Sequence, residues 1–228
     1  MASPEAAGSK VRIWDLPVRI IHWSFVVLIP SLWWTAENHE MGWHIRLGIA
    51  LLALLTFRIL WGFFGSSTAR FAQFVRGPRA VLDYFASLKG SAAHAPAIGH
   101  NPAGGWSVLA LLGLMTLQVA LGLFAGDPDD GTTGPLNHLV SFSTYDLATE
   151  AHEVVFNLIV AVIALHLAAI AFYTLVKRDR LVPPMLTGKR PLPEGTPGMQ
   201  PVPAWRAVAC AIAALTLAWW VWSGAPRL

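Results

Sequence analysis

Four histidines sit where imidazoles are rare: His22 in "WDLPVRIIHW", His44 in "MGWHIRLGIA", and His152 and His166 in "EAHEVVFNLIVAVIALHLAAI". The stretches around them are aliphatic and aromatic, and no charged residue occurs between Val154 and Val176. An imidazole at such depth can carry a proton or ligate a metal, and ionisable groups inside apolar spans mark functional sites. Proton relays draw on carboxylates too, and none falls at mid-depth in these stretches. A zinc-type centre needs its ligands to converge on one point. The arrangement of the four side chains decides between these chemistries, and that depends on the elements carrying them.

The chain has 228 residues, 55% of them hydrophobic and 13% charged, with eleven tryptophans and eleven phenylalanines. A soluble domain carries roughly a quarter charged residues, and tryptophan-rich belts belong at membrane interfaces. The composition is that of an all-α integral membrane protein. Cys210 is the single cysteine. An intrachain disulfide, a cysteine-only iron–sulfur cluster and a cysteine-rich zinc site are therefore excluded. There is no C-x-x-C-H for covalent haem attachment. The N-terminal basic residues and following apolar run lack a small-residue cleavage site, so the first helix is expected to be retained.

Five segments are long and apolar enough to span a bilayer: about 17–36, 43–64, 103–125, 150–176 and 204–223. Asn101-Pro102 supplies an N-cap and a first-turn proline for the third. Thirteen of the sixteen basic residues fall before the first span, between the second and third, between the fourth and fifth, or, as Arg19 and Arg206, within three residues of the same ends of the first and fifth spans. The exceptions are Arg46, Arg58 and Arg227. By the positive-inside rule the N-terminus is expected on the cytoplasmic side and the C-terminus on the outer side. "RFAQFVRGPRAVLDYFASL" has helical apolar spacing broken at Gly77-Pro78 and reads as a helix on the inner membrane surface or a loop packed on the bundle. Residues 1–190 form the membrane domain. The proline-rich 191–203 reads as an extended linker, and 204–228 as a fifth, peripheral helix with the C-terminus.

These spans rank the histidines by depth. His44 and His152 begin their spans at the outer end, whereas His22 and His166 lie toward the inner end. Fourteen residues separate His152 from His166, a rise of about 21 Å that returns to within about 40° of the same helix face. Such spacing suits two planar macrocycles stacked along one helix, each gripped by a second imidazole from a facing helix. Haem iron accepts two axial imidazoles, and four histidines serve two non-covalent haems. Arg58 follows His44 by fourteen residues and shares its face at the inner level. A buried arginine needs an anion, which a haem propionate supplies, and Arg46 is the matching candidate at the outer level. Snorkelling to the headgroups is the competing role for Arg58. His39, His94, His100 and His138 lie in connections and read as solvated or capping groups. Gly48, Gly62, Gly105, Gly113 and Gly122 suit close approach of backbones or of macrocycles, helix packing being the plainer reason for most.

"WDLPVRIIHW", "MGWHIRLGIALLALLTFRILWGFFG", "GHNPAGGW", and "EAHE…ALH" followed by "PMLTGK" together resemble the prokaryotic cytochrome b561 family, over about Val11 to Arg190. That family includes the b-type cytochrome subunits of nickel–iron hydrogenases. The resemblance implies a four-helix diheme bundle with bis-histidine ligation, and by position its ligands are His22, His44, His152 and His166. The fifth span has no counterpart in that core. The resemblance also implies electron exchange between ubiquinone or another quinone and a partner at the outer face. Three roles follow: service to a periplasmic c-type cytochrome, superoxide oxidation, or membrane anchoring of a hydrogenase-like dehydrogenase.

Charge separates them. The outer connections hold Glu37, Glu40, Asp127, Asp129, Asp130, Asp146, Glu150 and Glu153 against few basic residues. An acidic rim repels superoxide and favours a basic docking face, as small c-type cytochromes have. A structural anchor and a proton-coupled transporter are the readings from other classes.

Overall fold

The computed structural model describes residues 9–88, 98–127 and 131–225, so His94, Lys89, Asp129, Asp130 and Arg227 lie outside the described residues. Five long helices carry the apolar spans: α1 (Leu16–Glu37), α2 (Met41–Phe64), α5 (Pro102–Phe124), α6 (Phe142–Leu175) and α8 (Ala204–Trp222). Between α2 and α5 the surface segment is helical in two pieces, α3 (Phe71–Phe74) and α4 (Pro78–Leu88). They part at Val75–Gly77, where Pro78 cannot continue an earlier turn. The Trp106 indole N–H donates to the Arg76 carbonyl, and the Tyr84 and Tyr173 hydroxyls bond one another, so α4 is docked on α5 and α6.

Helix starts follow their caps. Asp15 accepts from Val18 N at 2.8 Å ahead of Pro17, and Asn101 accepts from Gly104 N at 2.7 Å ahead of Pro102. The fourth span departs from expectation. Its helix begins at Phe142, eight residues before Glu150, so His152 lies well inside α6 and not at its start. Those eight residues, "FSTYDLAT", are too polar for the hydrocarbon core, and the helix carries them past it.

Packing runs α1 to α2 to α5 to α6, with α8 on α2. Leu51, Leu55, Leu112, Met115, Val119, Val155 and Ile159 form a central core from α2, α5 and α6, and α1 adds Phe25, Leu28, Ile29 and Leu32. The fifth helix packs along α2. Cys210, Ala214, Ala218 and Val221 recur at three and four residues and are buried, and small side chains there let the α8 and α2 backbones approach.

Of the segment expected to be a linker, 191–203, Pro191 and Leu192 lie in a strand, and the rest has no regular element. After α6 come α7 (Val182–Thr187) and β4 (Lys189–Leu192), which pairs antiparallel with β1 (Ser9–Arg12). Pro183 and Pro184 occupy the first turn of α7, where no backbone donor is required, and Pro191 sits in a two-stranded ribbon. Gly188 ends α7 at φ 78°, and a Cβ there would lie 2.9 Å from the Trp14 carbonyl. Arg19 and the Trp23 indole donate to carbonyls at the end of α7, as a cation should. Leu192 is buried with Ile13, Trp14, Val18, Trp61 and Ala69, and Met199 N bonds the Arg12 carbonyl at 2.8 Å. Residues 191–203 thus help close one end of the bundle, the end at which His22 and His166 lie, called inner after the orientation expected from charge. A small hairpin of β2 (Gly126–Asp127) and β3 (Thr132–Thr133) stands at the other.

Candidate functional site

At the outer level α2 presents His44 and α6 presents His152, and their ring centres lie 6.2 Å apart with planes at 74°. The His44 Nδ1–H donates to the Leu32 carbonyl at 3.0 Å, and the His152 Nδ1–H donates to the Gln118 carbonyl at 2.9 Å. A carbonyl only accepts, so both Nδ1 atoms carry the proton and both Nε2 atoms keep a free lone pair. A metal between two imidazoles, with bonds of about 2.0 Å and about 1.1 Å more to each ring centre, spaces the rings by about 6.2 Å. The ring spacing of the pair matches that expected for bis-imidazole ligation of one iron. Gly122 makes room for it, since a Cβ there would lie 2.8 Å from His152 Cε1.

The central apolar core separates this level from the inner one. There His22 of α1 and His166 of α6 lie within charge–charge range of each other. His22 Nδ1 is shielded from solvent with no hydrogen-bond partner among the described residues. In both levels the two histidines come from helices that are not neighbours in the packing order; α1 and α2 meet α6 mainly through side chains.

His100 overturns its reading as a solvated or capping group. Its ring is wedged between Trp14, 4.7 Å away, and Phe74, 4.6 Å away, and its Nδ1 is shielded, with no hydrogen-bond partner among the described residues. Burial first, then the Arg58 charge and the neighbouring His166 and His22, lower its pKa to about 3. The inner end therefore gathers three imidazoles where depth alone counted two. His39 and His138 are exposed, as their loop positions led one to expect.

Arg58 is 6% exposed and does not snorkel. Its guanidinium lies 5.4 Å over the Phe71 ring, and Nη1 has no hydrogen-bond partner among the described residues. Asp15 is within charge range of Arg58 but uses its oxygens elsewhere, on Val18 N, on the Trp61 indole N–H at 2.8 Å and on the Ser66 hydroxyl at 2.5 Å. Arg46 departs from expectation. It is exposed, with its guanidinium 5.2 Å over Trp43, because two residues of helix turn it about 200° away from His44. It does not join the outer pair.

Sequence reasoning passed over Asp15, Thr68, Arg70 and His100. The signal for His100 was its place in "GHNP", between an apolar surface helix and a capped span, a turn with little room to project into water.

A multi-pass helical bundle with imidazoles paired across its interior is the architecture of a membrane b-type cytochrome. The family model for prokaryotic cytochrome b561 matches residues 13–188, and the chain belongs to that family. It is accordingly a membrane protein of haem-based electron transfer. No curated protein and no solved structure shows significant similarity to it.

Proposed function

We propose that this chain is a diheme b-type cytochrome carrying electrons between the membrane quinone pool and a periplasmic c-type cytochrome. The observation that carries this reading is the outer pair, with rings 6.2 Å apart and both Nδ1 protons held by backbone carbonyls. Those carbonyls fix the tautomer, orient each ring and raise the basicity of Nε2. His22 and His166 form the second pair. Haem, when bound, supplies one-electron chemistry, and two axial imidazoles leave no open position for a substrate at iron. The protein's task is to hold two redox centres at fixed depth and keep water away from the path between them.

The outer end supports the choice of partner. Glu37, Glu40, Asp146, Glu150 and Glu153 are exposed around the start of α2 and the upper turns of α6. A negative rim steers a basic protein and repels superoxide. With β1, α7 and β4 together at the end rich in lysine and arginine, that end is cytoplasmic.

Pyridine haemochrome assay of the purified protein tests the core of this reading. Two haems per chain are expected, with one lost in His152→Ala and one lost in His166→Ala. Retention of both in either variant overturns the ligand assignment. Stopped-flow mixing of reduced protein with ferric cytochrome c tests the partner; oxidation no faster than with a neutral electron acceptor removes it.

A further inference from the structure

The inner end of the bundle holds a concentration of buried polar atoms that nothing among the described residues satisfies. Arg58 Nη1, Thr68 Oγ1, Arg70 Nε, His100 Nδ1 and His22 Nδ1 are all shielded from solvent without a hydrogen-bond partner among the described residues. Arg58 and Thr68 are more than nine-tenths buried, at 6% and 7% exposed. An unmet buried donor costs about 1–3 kcal/mol, and an unmet buried charge costs more. The groups are contiguous. Arg58 covers Phe71, Phe71 packs on Phe74, and Phe74 packs on His100, while Thr68 borders Gly99 beside Trp14. Arg70 precedes Phe71 at the head of α3. The nearby carboxylate, Asp15, already accepts three hydrogen bonds from other groups. Guanidinium groups with hydroxyl and imidazole donors around them form a site for carboxylates.

We propose that Arg58, Thr68, Arg70 and His100 form a carboxylate pocket that receives the two propionates of the haem held between His22 and His166. This rests on the two-level haem reading. His100 is then a positioning group within charge range of both inner ligands, not a third axial ligand. The outer level has no such cluster among the described residues, so the two haems are anchored differently.

The test is optical redox titration of haem-loaded protein carrying His152→Ala, so that the inner haem is observed alone. Cations beside the propionates favour the reduced haem. Arg58→Gln and Arg70→Gln are each expected to lower its midpoint potential, and Arg58→Lys to restore it. His100→Gln should keep the haem and shift the propionate bending band in resonance Raman spectra. If Arg58→Gln does not fold, Arg58→Lys and Arg70→Gln still decide. An unmoved potential in Arg70→Gln together with an unmoved Raman band in His100→Gln overturns the pocket. Loss of the haem in His100→Gln also overturns it, since His100 would then be an iron ligand. Failure of the underlying reading shows earlier and separately, as one haem or none in the wild-type protein.

Discussion

The carboxylate of Asp15 accepts the indole N–H of Trp61 at 2.8 Å, joining the first residue before α1 to the last turn of α2. The same side chain caps α1 through Val18 N and accepts from Ser66. Replacing Asp15 by Ala removes a cap and two buried hydrogen bonds to a charged group, an expected loss of about 3 kcal/mol or more. Trp61→Phe removes one of those donors. Thermal unfolding in detergent of both single variants and the double variant should show coupling of about 1 kcal/mol or more, and strict additivity would count against a direct bond.

Gly122 and Gly113 lie on the same helix and should respond oppositely to alanine. At Gly122 the new methyl meets the His152 ring, whereas at exposed Gly113 it meets nothing within 4 Å. Gly122→Ala is expected to weaken retention of the outer haem about tenfold, as disturbance around a metal ligand does. Gly113→Ala should leave haem content unchanged and stabilise the helix by a few tenths to about 1 kcal/mol. Haem loss during dialysis against apomyoglobin reads both.

The acidic rim should be visible in kinetics. Glu150→Lys with Glu153→Lys is expected to slow oxidation by cationic cytochrome c about tenfold at low salt. The two curves should converge near 1 M salt, where the screening length falls to about 3 Å. A rate that ignores both substitution and salt would place the docking surface elsewhere.

His100 gives the haem-free protein a pH dependence with a definite sign. Its folded pKa is depressed to about 3, below the unfolded value near 6.5. Between those values the unfolded chain binds the extra proton, so stability is full above about pH 6.5 and falls as pH drops toward 3. His100→Gln should flatten that part of the profile. Haem-free protein of both sequences, unfolded thermally from pH 7 to pH 4, makes the comparison.

Ala214 is buried against α2 and its neighbour Leu215 is 62% exposed. Ala214→Leu should therefore destabilise by about 1–3 kcal/mol through overpacking, while Leu215→Ala changes little. Equal effects would deny α8 its place on α2.

The spans and the depth order of their histidines were legible because hydropathy and helical pitch act along one dimension. Fourteen residues between His152 and His166 fix a separation whatever surrounds them. What escaped was lateral or lay outside the bilayer. The prolines of 191–203 suggested an open linker, yet Pro191 sits in a ribbon, a position that tolerates a missing donor, and Met199 N is tied to the Arg12 carbonyl. Arg46 was matched to Arg58 by level, but only Arg58 shares the face of His44. His100 could not be found by depth because its burial comes from Trp14 and Phe74, neighbours brought together only by the fold.

The apolar band of Leu51, Leu55, Leu112, Met115, Val119, Val155 and Ile159 has a bearing on energy conversion. It offers no chain of donors and acceptors along which a proton could hop, whereas electrons tunnel through hydrocarbon. On the two-level reading each electron passes between the levels unaccompanied and moves a charge through the membrane's electric field. The full potential acts on one charge with about 2.3 kcal/mol per 100 mV, and the fraction felt between the levels would make turnover in energised vesicles voltage-sensitive.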